Sequence, residues 1–238
     1  MIKSRIKNLR KLIEQNNLDG YIIPKNDAYF SEYSSPDRLK VITNFNGSAG
    51  FAIVLKKKNY LFVDGRYTIQ AQNQSGKLFK ILEIPKFSPK FILGNKSKKF
   101  ILGFDPQLFT SASLKNRFNN IFNLIPIDEN LIDKIYKKES VKSVKQFYVL
   151  NDKIVGEKMT SKISKLVKIM KLKKIDNIFI SAPENVAWLL NLRGKDSPSS
   201  PIPNCKIILT SAKKIFFFSC PKKIKLVKKH KNFRNIIF

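Results

Sequence analysis

The same order of apolar and polar positions occurs twice along the chain. Apolar residues spaced three and four apart predict an amphipathic helix at 6–13 and another at 163–170. Each helix is followed by a short run of apolar residues, at 21–23 and at 178–180, that predicts a strand. The repeated order of helix and strand indicates two units that begin in the same way.

A hairpin is predicted next in each unit. Strands at 51–55 and 60–63 are joined by a lysine-rich turn, and strands at 206–209 and 215–218 repeat that arrangement, while 25–40 is expected to be a polar loop. The other predicted elements are helices at 66–74, 113–122 (behind a Thr110/Ser111 cap) and 183–191, and strands at 78–82, 100–104 and 124–125. Because helices alternate with strands, we expect an α/β fold in which a mixed sheet is flanked by helices.

The two units can be overlaid on one another. Residues 39–47 match 186–194, and each segment precedes a hairpin, which indicates an internal duplication. Far fewer residues follow the second hairpin than follow the first within its unit, so we expect the second copy to be truncated, with an unpaired sheet edge and exposed apolar surface. We predict a first domain at 1–137, a linker at 138–152 and an incomplete second domain at 153–238.

The net charge of +29 raises the possibility of a nucleic-acid partner, because basic surfaces bind phosphates by releasing counterions. However, 39 of the 46 basic residues are lysines spread along the chain, whereas base reading and bidentate phosphate contacts favour arginine. The charge is densest at 151–238, with 20 basic and 5 acidic residues, as if an acidic partner surface were missing. We therefore expect a solvated basic surface and no specific nucleic-acid site.

The cysteines and the single histidine exclude a standard zinc site. Cys205 and Cys220 form no C-x-x-C pair, and His230 is the sole histidine. The two thiols would face each other across the second hairpin, but in a cytoplasmic chain we expect them reduced. No apolar stretch follows the basic N terminus as in a secretory signal, and runs such as 215–218 are too short to cross a bilayer. We place the protein in the cytoplasm, with no membrane partner.

Five motifs, taken in order, resemble the N-terminal domains of the Xaa-Pro aminopeptidases. Those that resemble the first domain of this family are Leu18–Pro24, Asp27-Ala28 with Ser31–Tyr33, Gly47–Gly50 and Asp64–Tyr67. The one that resembles the hallmark of the second domain is Trp188–Asp196 with Pro198. The resemblance covers nearly the whole chain. Two positions depart from the family, since Tyr29 stands where many members have histidine and Val41-Ile42 where an aromatic residue is common.

The resemblance implies two creatinase N-terminal-like domains that help to form a homodimer and narrow the way to the active site. In this family the active site lies in a C-terminal domain of the "pita-bread" type, where two Asp, one His and two Glu hold two metal ions, commonly Mn²⁺. None of those motifs occurs in this sequence. We therefore expect no cofactor in this chain and no hydrolysis by it alone. The full-length protein would remove the residue before proline from peptides with proline at the second position.

Four residues are candidates for controlling substrate access. Asp64 and Gly65 suit a strand-to-helix corner, where Asp caps and Gly takes unusual backbone angles. The corner does not require Arg66, which the resemblance places towards the substrate channel, where it would bind a peptide carboxylate; a structural salt bridge is the alternative. Arg193 and Asp196 would pair with each other or with the catalytic domain. No residue of this chain is predicted to be catalytic or to bind metal.

Other conspicuous residues are expected to be structural. Gly47–Gly50 precedes a strand, not a helix N terminus, so we interpret it as a tight bend and not as a phosphate loop. Trp188 lies in an apolar helix pattern and is expected in the core. Asp27, Glu32 and Asp37 lack a histidine or metal-ligand spacing and are expected on a solvated loop.

Two other classes of function stay open at this point. A stand-alone binding or regulatory module would need no catalytic domain. A basic nucleic-acid binder is the third alternative, and its binding would be sequence-blind and would weaken steeply with salt.

Overall fold

A computed structural model describes residues 1–31, 36–93, 100–118, 121–136, 145–197 and 200–238. The chain divides into two compact units, Met1–Glu139 and Ser140–Phe238. Each unit contains a sheet with helices packed against it, as the sequence predicts.

The first unit is built on a six-stranded mixed sheet. Its strands are β1 (Gly20–Pro24), β2 (Gly50–Leu55), β3 (Asn59–Asp64), β4 (Lys80–Ile84), β5 (Ile101–Phe104) and β6 (Asn123–Pro126). Its helices are α1 (Ile2–Gln15), α2 (Arg38–Thr43), α3 (Thr68–Ser75), α4 (Pro89–Leu93), α5 (Ser111–Phe118) and α6 (Leu131–Ile135). The strand order is β4-β3-β2-β1-β5-β6, with β1–β2 and β2–β3 antiparallel and the other pairs parallel.

Apolar side chains cover both faces of this sheet. On one face, strand residues such as Ile23 and Val54 pack with Leu9 of α1. On the opposite face, Phe62 and Phe118 of α5 belong to a second buried cluster. Strands buried on two faces form nearly continuous apolar runs, which is why β1 to β3 are legible in the sequence.

Most predicted elements of the first unit are confirmed, and three short helices were missed. The predicted 25–40 loop ends early because Asp37 accepts a hydrogen bond from the Lys40 backbone N–H at 3.0 Å and begins α2. Asn130 begins α6 in the same way, through the Ile132 N–H at 2.9 Å. These helices and α4 have five or six residues each, too few for a helical period to be recognised.

The second unit is built on a smaller sheet of four strands. Its strands are β7 (Tyr148–Val149), β8 (Asn177–Ile180), β9 (Leu192–Arg193), β10 (Lys206–Thr210), β11 (Ile215–Phe218) and β12 (Ile236–Ile237), and its helices are α7 (Met159–Leu172), α8 (Pro183–Leu190) and α9 (Lys225–Lys228). The sheet order is β12-β11-β10-β8, and β7 pairs separately with β9. The strand β7 and the fully buried Phe147 lie within 138–152, the segment that the sequence analysis interpreted as a linker.

The duplication is visible in the order of elements and in one backbone detail. In both units a helix, a strand and a short second helix precede an antiparallel hairpin, and a parallel strand then follows it. The second helix ends at an asparagine in the left-handed conformation, Asn44 at φ 70° and Asn191 at φ 51°. These two asparagines occupy matching positions in the overlay of 39–47 on 186–194.

Candidate functional site

The corner after β3 is organised by Asp64. Its carboxylate accepts a hydrogen bond from the backbone N–H of Arg66 at 2.9 Å and so caps the short 3₁₀ helix Gly65–Tyr67. The Arg66 side chain folds back onto the same carboxylate, with Nε 2.9 Å from Oδ1 and Nη2 3.2 Å from Oδ2. This fork is the bidentate arrangement that guanidinium groups make with carboxylates.

The Arg66–Asp64 pair is open to solvent. The Arg66 side chain is 74% exposed and that of Asp64 is 37% exposed. Hydrogen bonds from Arg66 lower the pKa of Asp64, so both groups are charged at neutral pH. An exposed ion pair contributes little to stability, because water and salt screen it. The positive charge of Arg66 is therefore accessible to solvent, which a role in substrate access would require. Its contact with Asp64 is also the salt bridge that the structural alternative predicts.

Tyr67 ties this corner to the Gly47–Gly50 loop. The Tyr67 hydroxyl and Ser48 Oγ are 2.9 Å apart, and the Tyr67 ring packs edge-on against Phe45 with centroids 5.8 Å apart. The loop is a tight bend leading into β2, which confirms the interpretation made from the sequence. Gly50 has φ +153°, and a Cβ there would lie 2.7 Å from the Phe62 carbonyl oxygen. No residue with a side chain fits at that position without strain.

A cleft of about 340 Å³ lies beside this corner. Its walls are formed by Asp64, the Ser48–Gly50 part of the loop, Lys25, Asn26, Phe30, Phe51, Ile84 and Arg117. Asp64 lines the cleft directly, and Arg66 contacts Asp64. The cleft combines apolar side chains with the cations Lys25 and Arg117 and the carboxylate of Asp64, a mixture that suits a peptide-like group.

Two of the cleft residues were not singled out in the sequence. Lys25 is buried and forms an ion pair with Asp37. The Arg117 guanidinium lies 5.2 Å from the centre of the Phe51 ring, and desolvation lowers its pKa. Within the described part of the chain, Arg117 has no hydrogen bond or ion pair. No local pattern distinguishes these cations from the other basic residues, because their roles depend on contacts with residues far away in the sequence.

Asp27 and Asp37, two acidic residues of the 25–40 segment, are not on a solvated loop, contrary to the prediction. Asp27 is 6% exposed, and its carboxylate accepts hydrogen bonds from the backbone N–H groups of Tyr29 and Ser31 at 2.9 and 3.1 Å. Asp37 caps α2 and pairs with Lys25. A short acidic side chain near a turn satisfies backbone donors, and that explains the error. Glu32 lies outside the described residues.

In the second unit, Arg193 and Asp196 make separate contacts. Arg193 Nη1 donates to the carbonyl oxygens of Ala187 at 3.0 Å and Leu192 at 2.8 Å, where α8 ends. Asp196 accepts a hydrogen bond from the Asn204 N–H at 2.7 Å and forms an ion pair with Lys223. The two residues thus do not pair with each other, and each fixes part of the loop that follows α8.

Trp188 is not in the core, so that prediction is wrong. The buried side of α8 carries Val186, Ala187, Leu189 and Leu190, and this leaves Trp188 59% exposed. Its ring covers Lys162, whose Nζ lies 4.3 Å from the ring centroid. The apolar run in α8 is nearly continuous, and for that reason the sequence alone does not show which side faces solvent.

Three further features concern the described residues alone. Both cysteines are free; Cys205 is buried, which raises the pKa of its thiol, and Cys220 is exposed. No group of three His, Cys, Asp or Glu side chains in the described ranges is placed to hold a metal ion. None of the helices described is both long enough and apolar enough to span a membrane.

Both units match models of known domain families. A model of the creatinase/prolidase N-terminal domain matches residues 5–135, and a second model with the same description matches residues 138–236. The chain belongs to the creatinase/prolidase N-terminal domain family. It contains two successive domains of this family, as the motifs and the duplication indicate.

Curated relatives of these two creatinase-type domains carry the name probable Xaa-Pro aminopeptidase P. A probable Xaa-Pro aminopeptidase P of Fusarium vanettenii is 33% identical over 215 residues, which are 84% of this chain and 34% of the relative. One of Paracoccidioides brasiliensis is 31% identical over 241 residues, or 95% of this chain and 38% of the relative. The chain thus spans roughly a third of the length of these curated relatives and corresponds to their N-terminal creatinase-like portion.

A solved structure resembles the two creatinase-type domains over their whole length. The X-prolyl aminopeptidase of Caenorhabditis elegans, described as a cytosolic enzyme with a di-nuclear active site, matches with a TM-score of 0.88 and 25% identity. The match covers 100% of this chain and 42% of that enzyme.

Proposed function

We propose that this chain is the non-catalytic N-terminal portion of a Xaa-Pro aminopeptidase, where it serves dimerisation and access of substrate. The observation that carries the proposal is the pair of family matches at 5–135 and 138–236, together with a fold that superposes on the X-prolyl aminopeptidase of C. elegans over the full chain. Peptides with proline at the second position would be the substrates. In this proposal the protein is cytoplasmic, as the C. elegans enzyme is described to be.

The chemistry belongs to a catalytic domain outside these 238 residues. Such a domain would hold two divalent metal ions, Mn²⁺ by analogy with the family, and activate water for attack on the bond before proline. In support, the match to the X-prolyl aminopeptidase of C. elegans, described as having a di-nuclear active site, covers 42% of that enzyme. We expect the purified chain, given Mn²⁺ and a Xaa-Pro peptide, to release no N-terminal residue. Metal-dependent release by this chain alone would disprove the assignment.

Within this proposal, Arg66 is the residue most suited to meet substrate. It is 74% exposed, it presents a guanidinium fork that already binds the Asp64 carboxylate, and Asp64 lines the adjacent cleft. A peptide carboxylate would compete with Asp64 for the planar fork of the guanidinium. Arg193 and Asp196 have internal partners, so we propose for them the lesser role of holding the loop after α8 in place.

The test replaces the matched 42% of the C. elegans enzyme by this chain and measures Xaa-Pro cleavage. If the chain guides substrate, the chimera is active, and Arg66→Lys lowers kcat/KM while the melting temperature stays nearly unchanged, because lysine keeps the charge but loses the fork. Arg38→Lys is the matched control. Arg38 makes a similar bidentate contact to Asp133, at 2.9 and 2.7 Å, away from the cleft, so its loss should affect stability and not turnover. A lower melting temperature with normal kcat/KM for Arg66→Lys would remove Arg66 from the site.

A further inference from the structure

Arg117 brings an unbalanced positive charge to the cleft beside the Asp64 corner. It lies on α5 next to Phe118, which is buried in the core. Its guanidinium lies over the Phe51 ring, 5.2 Å from the ring centre, and this contact engages the charge without using an N–H donor. Among the residues that the structure describes, none forms a hydrogen bond or an ion pair with Arg117. Its N–H groups are therefore available to a ligand.

The other charged side chains that line the cleft already have partners. Lys25 pairs with Asp37, and Asp64 binds Arg66. Arg117 therefore leaves this cleft with a net positive charge. Desolvation lowers the pKa of Arg117, because part of the guanidinium is removed from water without a carboxylate in return. An anionic group of a ligand would supply the missing interaction.

The aromatic floor beneath Arg117 is firmly packed. Phe51 is buried, and its ring stacks on that of Phe62, with centroids 4.6 Å apart and planes 5° apart. Phe118 packs edge-on against Phe51 from α5, with centroids 6.1 Å apart. A guanidinium that rests on such a floor loses less freedom when a ligand binds than one on an open surface. The position of Arg117 is therefore partly prepared for binding.

The second unusual residue of the cleft is Phe30. Its side chain is 50% exposed, and its backbone is left-handed, with φ 59°, which is unfavourable for a bulky residue. Asp27 stabilises this conformation, because its carbonyl oxygen accepts a hydrogen bond from the Phe30 N–H at 2.9 Å. The Asp27 carboxylate binds the N–H groups on either side, those of Tyr29 and Ser31. A buried acid thus holds an exposed aromatic ring at the cleft in a strained backbone, and such strain is concentrated at binding sites.

The size and the lining of the cleft favour the end of a short peptide over a simple anion. Its volume of about 340 Å³ is near the lower limit of the roughly 300–1,000 Å³ that is typical of small-molecule pockets. The apolar side chains of Phe30, Phe51 and Ile84 can cover an apolar side chain of a peptide, but they contribute nothing to an inorganic anion. The carboxylate that ends a peptide presents two oxygens to the guanidinium fork.

We propose that Arg117 binds the C-terminal carboxylate of a short peptide and that Phe30 covers the apolar side chain of the last residue. The ligand class is peptides of a few residues with a free C terminus. A carboxylate that binds Arg66 must first displace Asp64, whereas the Arg117 donors have no such competitor, so Arg117 is the main anchor. The choice of a peptide as ligand rests on the proposed function, but the test measures binding to this chain and needs no cleavage.

The first experiment titrates the isotope-labelled chain with the tripeptide alanyl-prolyl-leucine and follows the amide signals by NMR. We expect shifts at the amides of 48–51 and a Kd at least roughly tenfold higher for the same peptide with a C-terminal amide, because the bidentate charged contact is lost. Arg117→Gln should cause a similar loss with the unmodified peptide. Arg117→Lys should cause a smaller loss, because it keeps the charge without the fork.

Lys115→Gln is the matched control for the charge. Lys115 is exposed on the same helix and does not line the cleft, so its replacement should change the Kd by less than roughly twofold at physiological salt. Equal binding of the tripeptide and its amide would overturn the proposal, and this comparison needs no variant. Equal losses for Arg117→Gln and Lys115→Gln would overturn it as well. Inorganic phosphate is the second probe: if it binds as tightly as the tripeptide and shifts the same amides, the cleft is a general anion site and the peptide assignment is wrong.

Phe30→Asn separates a role in binding from a role in the fold. Asparagine adopts the left-handed conformation more readily and has no ring, so the variant should resist urea at least as well as the wild type and bind the tripeptide at least roughly threefold more weakly. Phe91→Asn is the control, because Phe91 is 67% exposed on α4 and does not line the cleft; its binding should be unchanged. Lower stability with unchanged binding for Phe30→Asn would show that Phe30 is structural and would overturn its proposed contact.

Cleavage by the chimera with the C. elegans enzyme tests the proposed function separately. An inactive chimera, together with carboxylate-dependent binding that requires Arg117, would refute the proposed function and support the peptide site. An active chimera, together with a chain that does not distinguish the tripeptide from its amide, would refute the peptide site alone.

Discussion

Lys162 is the residue whose replacement most directly tests the reasoning about the second unit. Its Nζ lies 2.6 Å from the Trp188 carbonyl oxygen and 2.7 Å from Asn191 Oδ1. Lys162 is 7% exposed and Asn191 is 4% exposed, so water cannot readily replace these bonds. Asn191 in turn donates to the Glu157 carbonyl oxygen at 3.1 Å, so one amine fixes the end of α8 and the left-handed residue after it.

Lys162→Met keeps the unbranched stem and removes both hydrogen bonds. Each buried acceptor left without a donor costs about 1–3 kcal/mol, so we expect the loss of both bonds to lower the free energy of unfolding of the second unit by about 2–6 kcal/mol. With an m value of about 1–3 kcal/mol/M, the urea midpoint should fall by at least roughly 0.7 M. Trp188 is the sole tryptophan in the sequence and lies over Lys162, so its fluorescence reports this unit directly.

The matched control is Lys165→Met on the same helix. The Lys165 side chain is 70% exposed and pairs with Glu157 at the surface, so we expect a change in midpoint within the error of measurement. The pH dependence supplies a second check. Desolvation lowers the pKa of Lys162, so the unfolded state binds more protons between that lowered pKa and 10.5, and this group's contribution to stability rises with pH over that range. A Lys162→Met midpoint equal to that of the wild type would refute the reasoning.

Three further predictions concern the first unit and the charge. Burial raises the pKa of Tyr21 above its ordinary value of 10.0, so the folded state retains a proton that the unfolded state loses; stability should fall above about pH 10, and Tyr21→Phe should lessen that fall in alkaline urea titrations. Gly50→Ala should lower the free energy of unfolding by about 1–3 kcal/mol, because φ is +153° and the Cβ would meet a backbone oxygen, and an unchanged urea midpoint would argue against that geometry. Any DNA binding should be sequence-blind and weaken steeply between low and physiological salt, as an electrophoretic titration would show; a footprint at one sequence would contradict this.

The sequence predicts the long amphipathic elements and the hairpins, because their burial produces a regular pattern. The helix α1 buries Ile6, Leu9 and Ile13, and the α7 pattern is as clear. The small helices α4 and α6 and the two-residue strand β12 are too short to show a hydrophobic period in the sequence. Tertiary contacts stabilise these elements. For example, Ile236 of β12 packs in the hydrophobic core of the second unit.

The candidate site was predictable only in part. The corner at Asp64 and Arg66 is legible because capping and bend residues adjoin in the sequence, and the structure shows both side chains in contact there. The exposure of Trp188 could not be predicted from the sequence, because its contact with Lys162 joins residues that are far apart in the chain. The Lys25–Asp37 pair is hidden for a similar reason, since a sequence does not show which of many lysines is buried.

The two ends of the first unit lie against each other. Leu131 and Ile132 of α6 are buried in the same cluster as Ile6 and Leu9 of α1, and the Arg5 guanidinium lies 4.6 Å from the centre of the Tyr136 ring. During synthesis, the part of α1 that packs against α6 is therefore covered only after α6, the last helix described in the first unit, has been made. Because the first and last helices of the domain are in contact, a short linker is enough to join its two ends. Insertion into another protein or circular permutation therefore requires little change in the fold. A domain of this shape is suited to duplication in tandem.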